Sequence, residues 1–550
     1  MPPVAAPDIL DLLARHAAHR PDDVAIRHVM VGAAPRDISW SELLQSSRMA
    51  CELLRQSDVV SPFVPSYAGK SVEVVAMMIG AIACGKVFAG VSPKFRLPQL
   101  LGVLDACDAR VALVDSAGMP ALQDGLVEQE RIRSTDWWWL DPPARTARSR
   151  AALEALRAQA NVREIQGMLD ALDPMAGGQA ERLEPERAAV CLFTSGSTGA
   201  PKGVLVSWSD LHDRARAECE LFSLSEADVL LSLLPFSFDV GLNQLMSSLV
   251  SGARLVILES WMPTDVLNAV AEQGVTGVSA VPSIWLSLLK AGKAFDKDGP
   301  HASLRYVTIS GGNMSADRLQ LLGQAARGVA IFKTYGQTES FRSTALHADA
   351  FAQRPTSVGK PFGSARVYVV RSDGSKASAG ERGEVVHTGL GTMMGYLRGA
   401  ELDEKRRPNP FFGPDDPSAF AIFTGDQGYL DEQGYLYLEG REDDLVKVAG
   451  NRVHLAEVAA QMANVPGVLT AEAVSVPLEG ADPALAVFVV PEPSGANLTV
   501  QGLKAEAVRR LPTYMLPALI EIWPEFPLTA SGKPDRQALR AQAARFLLAK

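Results

Sequence analysis

The stretch that most restricts this chain is Phe193-Thr194-Ser195-Gly196-Ser197-Thr198-Gly199-Ala200-Pro201-Lys202-Gly203-Val204. It follows the short apolar run 188–192, which predicts a strand opening into a glycine- and hydroxyl-rich loop. Glycine lets backbone N–H groups close around phosphate oxygens. Thr194, Ser195, Ser197 and Thr198 add hydroxyl donors, and Lys202 adds a cation that can follow the phosphates. A Ser/Gly-rich surface turn is the plainer reading, but so many such residues in this order favour phosphate binding. The loop is not a P-loop, which needs Gly-Lys-Ser/Thr running straight into a helix.

With 550 residues the chain exceeds one compact domain, so two to four structural units are expected. Its 53 Lys and Arg against 63 Asp and Glu give a net charge of −10, which argues against nucleic acid as a main partner. Cys51, Cys84, Cys107, Cys191 and Cys219 lack CxxC spacing and read as reduced thiols of a cytoplasmic protein. No secretory signal is expected at Met1-Pro2-Pro3-Val4. The most apolar run, 74–85, stops at Lys86 and is too short for a bilayer, so it predicts a buried helix and no membrane partner.

Helical periodicity over 8–19, 41–54, 72–84 and 97–104 alternates with short apolar strands at 25–29, 87–91 and 111–114. The same alternation resumes after the loop, with strands at 229–234, 254–258, 277–280, 306–310 and 330–334 and helices at 243–250, 263–273 and 282–289. This predicts α/β layers on a largely parallel sheet. Residues 118–187 are less orderly: Trp137-Trp138-Trp139 reads as packing of a connecting segment, 145–150 as a solvated basic loop, and 151–172 as helical. From 364 to 437 short strands and turns predict a β-rich subdomain, and a composition shift at 441–444 sets off about 100 further residues, enough for a small α+β domain. The expected fold is therefore α/β: a large N-terminal domain, 1–440, of layered sheets plus a β-rich subdomain, and a small C-terminal domain, 441–550.

Five more stretches carry chemistry. Ser310-Gly311-Gly312-Asn313 ends a strand in a double glycine. Thr334-Tyr335-Gly336-Gln337-Thr338-Glu339 supplies an aromatic that can stack on a purine, a hydroxyl for phosphate, and a carboxylate for a hard metal ion. Thr424-Gly425-Asp426 offers a carboxylate in a turn. The glycine-bounded run 440–453 contains Arg441, Asp443 and Gly450, and Leu528-Thr529-Ala530-Ser531-Gly532-Lys533 lies near the C-terminus. Six stretches in this order resemble the signature of the adenylate-forming (ANL) superfamily, which includes acyl-CoA synthetases, luciferases and peptide-synthetase adenylation domains.

The resemblance implies carboxylate activation by ATP with Mg²⁺, then transfer of the acyl group to a thiol by a mobile C-terminal domain. Lys533 would bridge the substrate carboxylate and the α-phosphate, and Glu339 would bind Mg²⁺. Thr194, Ser195, Gly196, Ser197, Thr198, Gly199 and Lys202 would manage the departing pyrophosphate. Gly311, Gly312, Asn313, Tyr335, Gly336 and Gln337 would surround adenine, Thr338 would meet the α-phosphate, and Asp426 and Arg441 the ribose. Asp443 would be the hinge, and Gly450 would line the channel for a pantetheine thiol. A non-catalytic nucleotide sensor of the same fold would have lost Lys533 or Glu339, and both are present.

Peptide-synthetase adenylation domains carry a Phe-Asp pair that sets an Asp against the α-amino group of an amino acid, and Phe238-Asp239 matches it. A buried carboxylate needs a cation, which an ammonium supplies; a helix-capping role for Asp239 is the alternative. Val240, Asn243, Ala280, Thr308, Ser310, Thr334, Arg342 and Ser343 fall at the other pocket positions. They are mostly small or polar and imply a small or polar amino acid, although Arg342 also fits the pattern of two subgroups, stand-alone amino-acid:carrier-protein ligases and exosortase-associated acyl-CoA ligases. No carrier domain is expected within the chain, so the acceptor would be the phosphopantetheine arm of a free-standing carrier protein, or coenzyme A.

Overall fold

The computed structural model describes every residue except 1–5, 31–33, 58, 120–121, 123–128, 142–146, 171–183, 185, 196–200, 313, 315, 400–404, 442–444, 449–450, 479–480, 494–497, 530–531 and 549–550. Two large sheets dominate the first four hundred or so residues. In the nine-stranded sheet the strands Val24–Val29, Arg254–Leu258, Val229–Ser232, Gly277–Ala280, Tyr306–Ile309 and Ala330–Tyr335 run parallel, with antiparallel strands at both edges. In the eight-stranded sheet, Ala188–Ser195, Val87–Val91, Phe63–Tyr67, Val111–Val114, Asp136–Trp139 and Val162–Glu164 are parallel, and Pro201–Ser207 turns back antiparallel beside Ala188–Ser195.

Parallel strands buried on both faces read as continuous apolar runs, because helices cover each side. Successive residues here serve opposite cores. Leu230 and Leu255 point toward the helices sandwiched between the sheets, Val72–Ala83 and Asp239–Ser251 among them. Leu231 and Val256 point to the outer helices Pro263–Gln273 and Pro282–Lys290. Both sandwiched helices bury residues around most of their circumference. This agrees with the apolar run at 74–85 being a core helix; among the described residues no helix is long and apolar enough to cross a membrane.

Three sequence expectations change. Trp137, Trp138 and Trp139 are the buried residues of the strand Asp136–Trp139, not a connecting segment. Strand alternation sends Trp137 and Trp139 to one core and Trp138 to the other, so they do not need a common face. The helix expected over 151–172 runs from Ala147 to Arg157, so the basic stretch is partly helical; Val162–Glu164 then docks on the Trp strand before a second helix, Ile165–Asp170. The helix expected from Asn243 begins at Asp239.

Arg366–Val370, Gly383–Thr388, Arg406–Pro408, Phe420–Leu430 and Leu436–Arg441 form an antiparallel five-stranded sheet. The C-terminal segment builds its own three-stranded sheet from Val468–Leu478, Ala481–Pro491 and Leu519–Ile522. Helices Leu455–Ala463 and Val500–Arg510 pack on one face, and Arg536–Leu548 packs on the other. This unit is held to the outer helix Ala316–Ala325 by Arg318, whose Nε donates to the Leu469 carbonyl at 3.1 Å and whose Nη2 meets Glu492.

Candidate active site

The C-terminal ends of Tyr306–Ile309 and Ala330–Tyr335 and the start of helix Asp239–Ser251 converge on one cleft, where open parallel sheets characteristically bind ligands. Phe238, Asp239, Val240, Ser310, Gly311, Thr334–Thr338, Phe341, Arg342 and Lys533 line it. Lys533 comes from the C-terminal unit, and the Ser283 hydroxyl donates to the carbonyl of neighbouring Gly532 at 2.6 Å. Gly311 has φ +77°, and a Cβ there would lie 3.2 Å from Lys533 Cε, so any side chain would press on the lysine stem. At Gly336 an added Cβ would fall 1.6 Å from the Phe341 carbonyl oxygen, which only glycine avoids.

Asp426 gathers the neighbouring motifs. Tyr335 donates its hydroxyl to Asp426 Oδ2 at 2.5 Å, Gln337 donates its amide to the same oxygen at 2.7 Å, and Arg441 Nη1 stands 3.7 Å from Oδ1. Glu339 is buried, yet it accepts from the Tyr396 hydroxyl at 2.6 Å and pairs with Lys405 at 3.3 Å. Burial alone would push the Glu339 carboxyl up; Lys405 and Tyr396 override it and hold it below its ordinary range. From the glycine-rich loop, Thr194 Oγ1 donates to the Lys202 carbonyl at 3.4 Å, and Lys202 Nζ lies 5.7 Å from the centre of the Tyr396 ring. The loop's cation and Glu339 thus flank one tyrosine. Ser195 ends its strand opposite Pro201. Gly196, Ser197, Thr198, Gly199, Asn313, Asp443 and Gly450 lie outside the described residues.

Asp239 is 6% exposed. Phe238, not Asp239, occupies the cap position of the helix, but Asp239 stands in its first turn and accepts the Val240 amide at 2.8 Å, so a carboxylate that also favours the helix start is consistent with the structure. Burial pushes its carboxyl above the ordinary value; Lys533, that amide bond, Arg214 and Arg342 oppose the rise. Of the expected pocket residues, Val240, Ser310, Thr334 and Arg342 line the cleft with it. The Ser310 and Thr334 hydroxyls are 2.6 Å apart. Ala280, Thr308, Asn243 and Ser343 are fully buried and stand behind the lining. Asn243 donates its amide to Glu218, and Ser343 donates to Ser340.

Glu218, Arg214, Tyr396 and Lys405 were not singled out from the sequence. Helix Trp208–Phe222 does carry a signal for two of them: Arg214 and Glu218 lie on the buried stripe with Leu211, Ala215 and Phe222. Charges placed on an apolar stripe are rarely there for packing. Tyr396 and Lys405 give no local signal, because their relation to Glu339 exists only after folding.

An α/β body with a cleft at its strand ends, closed by a lysine from a separate C-terminal unit, defines the class of two-part adenylate-forming ligases. Residues 13–397 match the AMP-binding enzyme family and residues 457–533 match the AMP-binding enzyme C-terminal domain, so the chain belongs to this family. It is an adenylate-forming enzyme of the ANL superfamily, an AMP-forming ligase. It is 28% identical over 527 residues to surfactin synthase subunit 1 of Bacillus subtilis (strain 168), a match covering 94% of this chain and 13% of that one. The chain thus spans a small part of such relatives' length. ATP-bound MatB from Rhodopseudomonas palustris superposes with a TM-score of 0.79 at 20% identity, covering 98% of this chain and 99% of that one. The o-succinylbenzoate CoA synthetase MenE from Bacillus subtilis, in complex with its acyl-adenylate intermediate, gives 0.77 at 22% identity over 97% and 98% of the chains. These two likenesses establish the fold.

Proposed function

We propose that this ligase activates a small or polar amino acid as its acyl-adenylate, releasing pyrophosphate, and passes it to the phosphopantetheine thiol of a free-standing carrier protein. The observation that carries the reading is Asp239: a buried carboxylate on the cleft wall, beside Lys533, whose hydrogen bond is to the Val240 amide of its own helix. An α-ammonium answers its charge, while Lys533 holds the α-carboxylate for attack on phosphorus. The likeness to peptide synthetases agrees with an amino-acid substrate and a carrier-bound thiol.

The residues fit ATP. Asp426 offers its carboxylate where Tyr335, Gln337 and Arg441 fix it for ribose hydroxyls, and Gly311, Gly312 and Gly336 let the backbone around the cleft pack closely against Lys533, Pro282 and Phe341. Thr338, Lys202 and Thr194 would receive phosphate oxygens. Among the described residues no group of three or more His, Cys, Asp or Glu could hold a metal. Glu339 as a single protein ligand suits Mg²⁺, which keeps phosphate and water ligands and would neutralise phosphoryl charge when bound. The protein's share is positioning and preset charge, since phosphoryl transfer needs little covalent help.

The working division is 1–440 for nucleotide and acid and 441–550 for the mobile unit, with Asp443 as hinge and Gly450 on the thiol's path. Rotation there would withdraw Lys533 and admit the thiol. Pyrophosphate exchange over a panel of amino, fatty and aryl acids tests the reading. Exchange with amino acids supports it. Turnover confined to non-amino acids with coenzyme A would replace it with an acyl-CoA ligase.

A further inference from the structure

Arg342 lines the cleft and is 2% exposed, yet neither of its terminal nitrogens has a hydrogen-bond partner. Its guanidinium is held by three aromatic rings, with Phe222, Phe341 and Phe362 centres at 5.7, 5.4 and 5.3 Å. Such rings satisfy charge through their faces and leave the N–H edge unpaired. Glu218, itself 1% exposed, stands 3.5 Å from Arg342 Nη1, close enough to balance the charge but without a formed hydrogen bond. Asn243 donates to Glu218 and keeps it in place. A buried cation thus arrives neutralised, with donors still to be matched.

The charges around the cleft are otherwise balanced. Burial raises the carboxyls of both Asp239 and Glu218, and the cations Lys533 and Arg342 respectively oppose the rise; Arg214 is paired with Asp210. An amino acid brings one ammonium and one carboxylate, which Asp239 and Lys533 answer. A second carboxylate at Arg342 would leave an unbalanced buried negative charge beside Glu218, which is costly. An alkyl group would leave the guanidinium N–H groups orphaned, which is also costly.

We propose that Arg342, preset by Glu218, selects an amino acid whose side chain ends in an uncharged hydrogen-bond acceptor, a carboxamide or hydroxyl rather than a carboxylate or an alkyl group. The assignment rests on the amino-acid reading above and adds the side-chain class. Asp239 and Lys533 grip the groups common to all amino acids, and Arg342 reads what differs. Glu218 is a positioning residue, acting on the substrate only through Arg342.

The test is pyrophosphate exchange by the purified chain with asparagine, glutamine and threonine, set against aspartate, glutamate, leucine and valine. The expected result is a kcat/KM for an uncharged acceptor at least about tenfold above its acidic and alkyl counterparts, as for sites built around a polar group. Arg342→Met should bring the three classes within about threefold of one another, mainly through KM, as loss of uniform binding does. Glu218→Gln should shift preference toward the acidic side chain by about tenfold, because the guanidinium charge is then unanswered. AMP binding by calorimetry reports whether each variant is folded, and the wild-type panel decides even if a variant is not. Wild-type preference for acidic or alkyl side chains overturns the side-chain assignment and leaves the amino-acid reading standing. Unchanged discrimination in a folded Arg342→Met protein does the same. Exchange with no amino acid overturns that reading, and the side-chain assignment falls with it.

Discussion

Lys533 places its ammonium 5.7 Å from the centre of the Phe238 ring, immediately before Asp239. A residue 294 positions further along the chain thereby becomes the largest charge opposing the burial of Asp239. The proposed scheme assigns the lysine in this pose to the adenylating half of the reaction. Lys533→Ala should cut pyrophosphate exchange by about a hundredfold or more, as loss of one preset transition-state contact does. Thioester formation from supplied acyl-adenylate should stay within a few-fold of wild type. Equal loss in both half-reactions would contradict the two-pose scheme.

Arg318 holds that pose from the outside. It is 8% exposed, and it ties the helix Ala316–Ala325 to the Leu469 carbonyl and to Glu492. In the two-pose scheme proposed above, rotation of the C-terminal unit would break these bonds, so they would act on the pose rather than on the chemistry. Arg318→Ala is expected to lower exchange several-fold, the thioester-forming step holding or rising. The magnitude follows from charge-assisted bonds worth about 1.5–3 kcal/mol, part of which Glu492 recovers in water. A variant slowed equally in both steps would show Arg318 to be structural only.

How much of this was legible in the sequence depends on how local the cause is. Strands such as Gly277–Ala280 and helices such as Pro263–Gln273 agree with their expected limits, because apolar period and a leading proline act within a few residues. Asp239 and Arg342 could be singled out by motif. Glu218 could not, since its meaning comes from Arg342, 124 positions away, and from Asn243. The Trp137–Trp139 strand was misjudged for a related reason: a run apolar on both faces has no alternation to reveal it, and only its neighbours in the sheet make it a strand.

His387 makes stability sensitive to acid. It is fully buried in strand Gly383–Thr388 near Arg214, Asp416 and the Leu390 backbone; burial first, then Arg214, brings its imidazole from an ordinary 6.5 down to about 3. Between those values the unfolded chain holds the proton and the folded one does not, so stability falls as pH drops below 6.5. The slope is up to about 1.4 kcal/mol per pH unit for one proton. Urea unfolding at pH values from 7.5 to 5, flanking the ordinary value of 6.5, should give a shallower loss for His387→Gln than for wild type. An identical slope would mean that the ring protonates in place.

Lys405 sets the working pH of Glu339. Its ammonium lies 3.3 Å from the Glu339 carboxylate and donates to the Gln337 side-chain oxygen at 2.8 Å, so one cation orders the Gln337 amide and the Glu339 acid together. Glu339 is buried, and burial works to raise its carboxyl above the ordinary 4.5; Lys405 is the largest force that instead holds it below. A depressed carboxylate contributes stability above its unfolded value, and that contribution is lost as pH falls through the folded one. Without the cation the folded value must climb. Lys405→Met should therefore move the acid limb of the exchange pH profile upward and narrow the range in which Glu339 is ionised, whereas Lys405→Arg should leave the limb near its original position. An acid limb unmoved in Lys405→Met would assign it to another group and leave Lys405 as a tether for Gln337 alone.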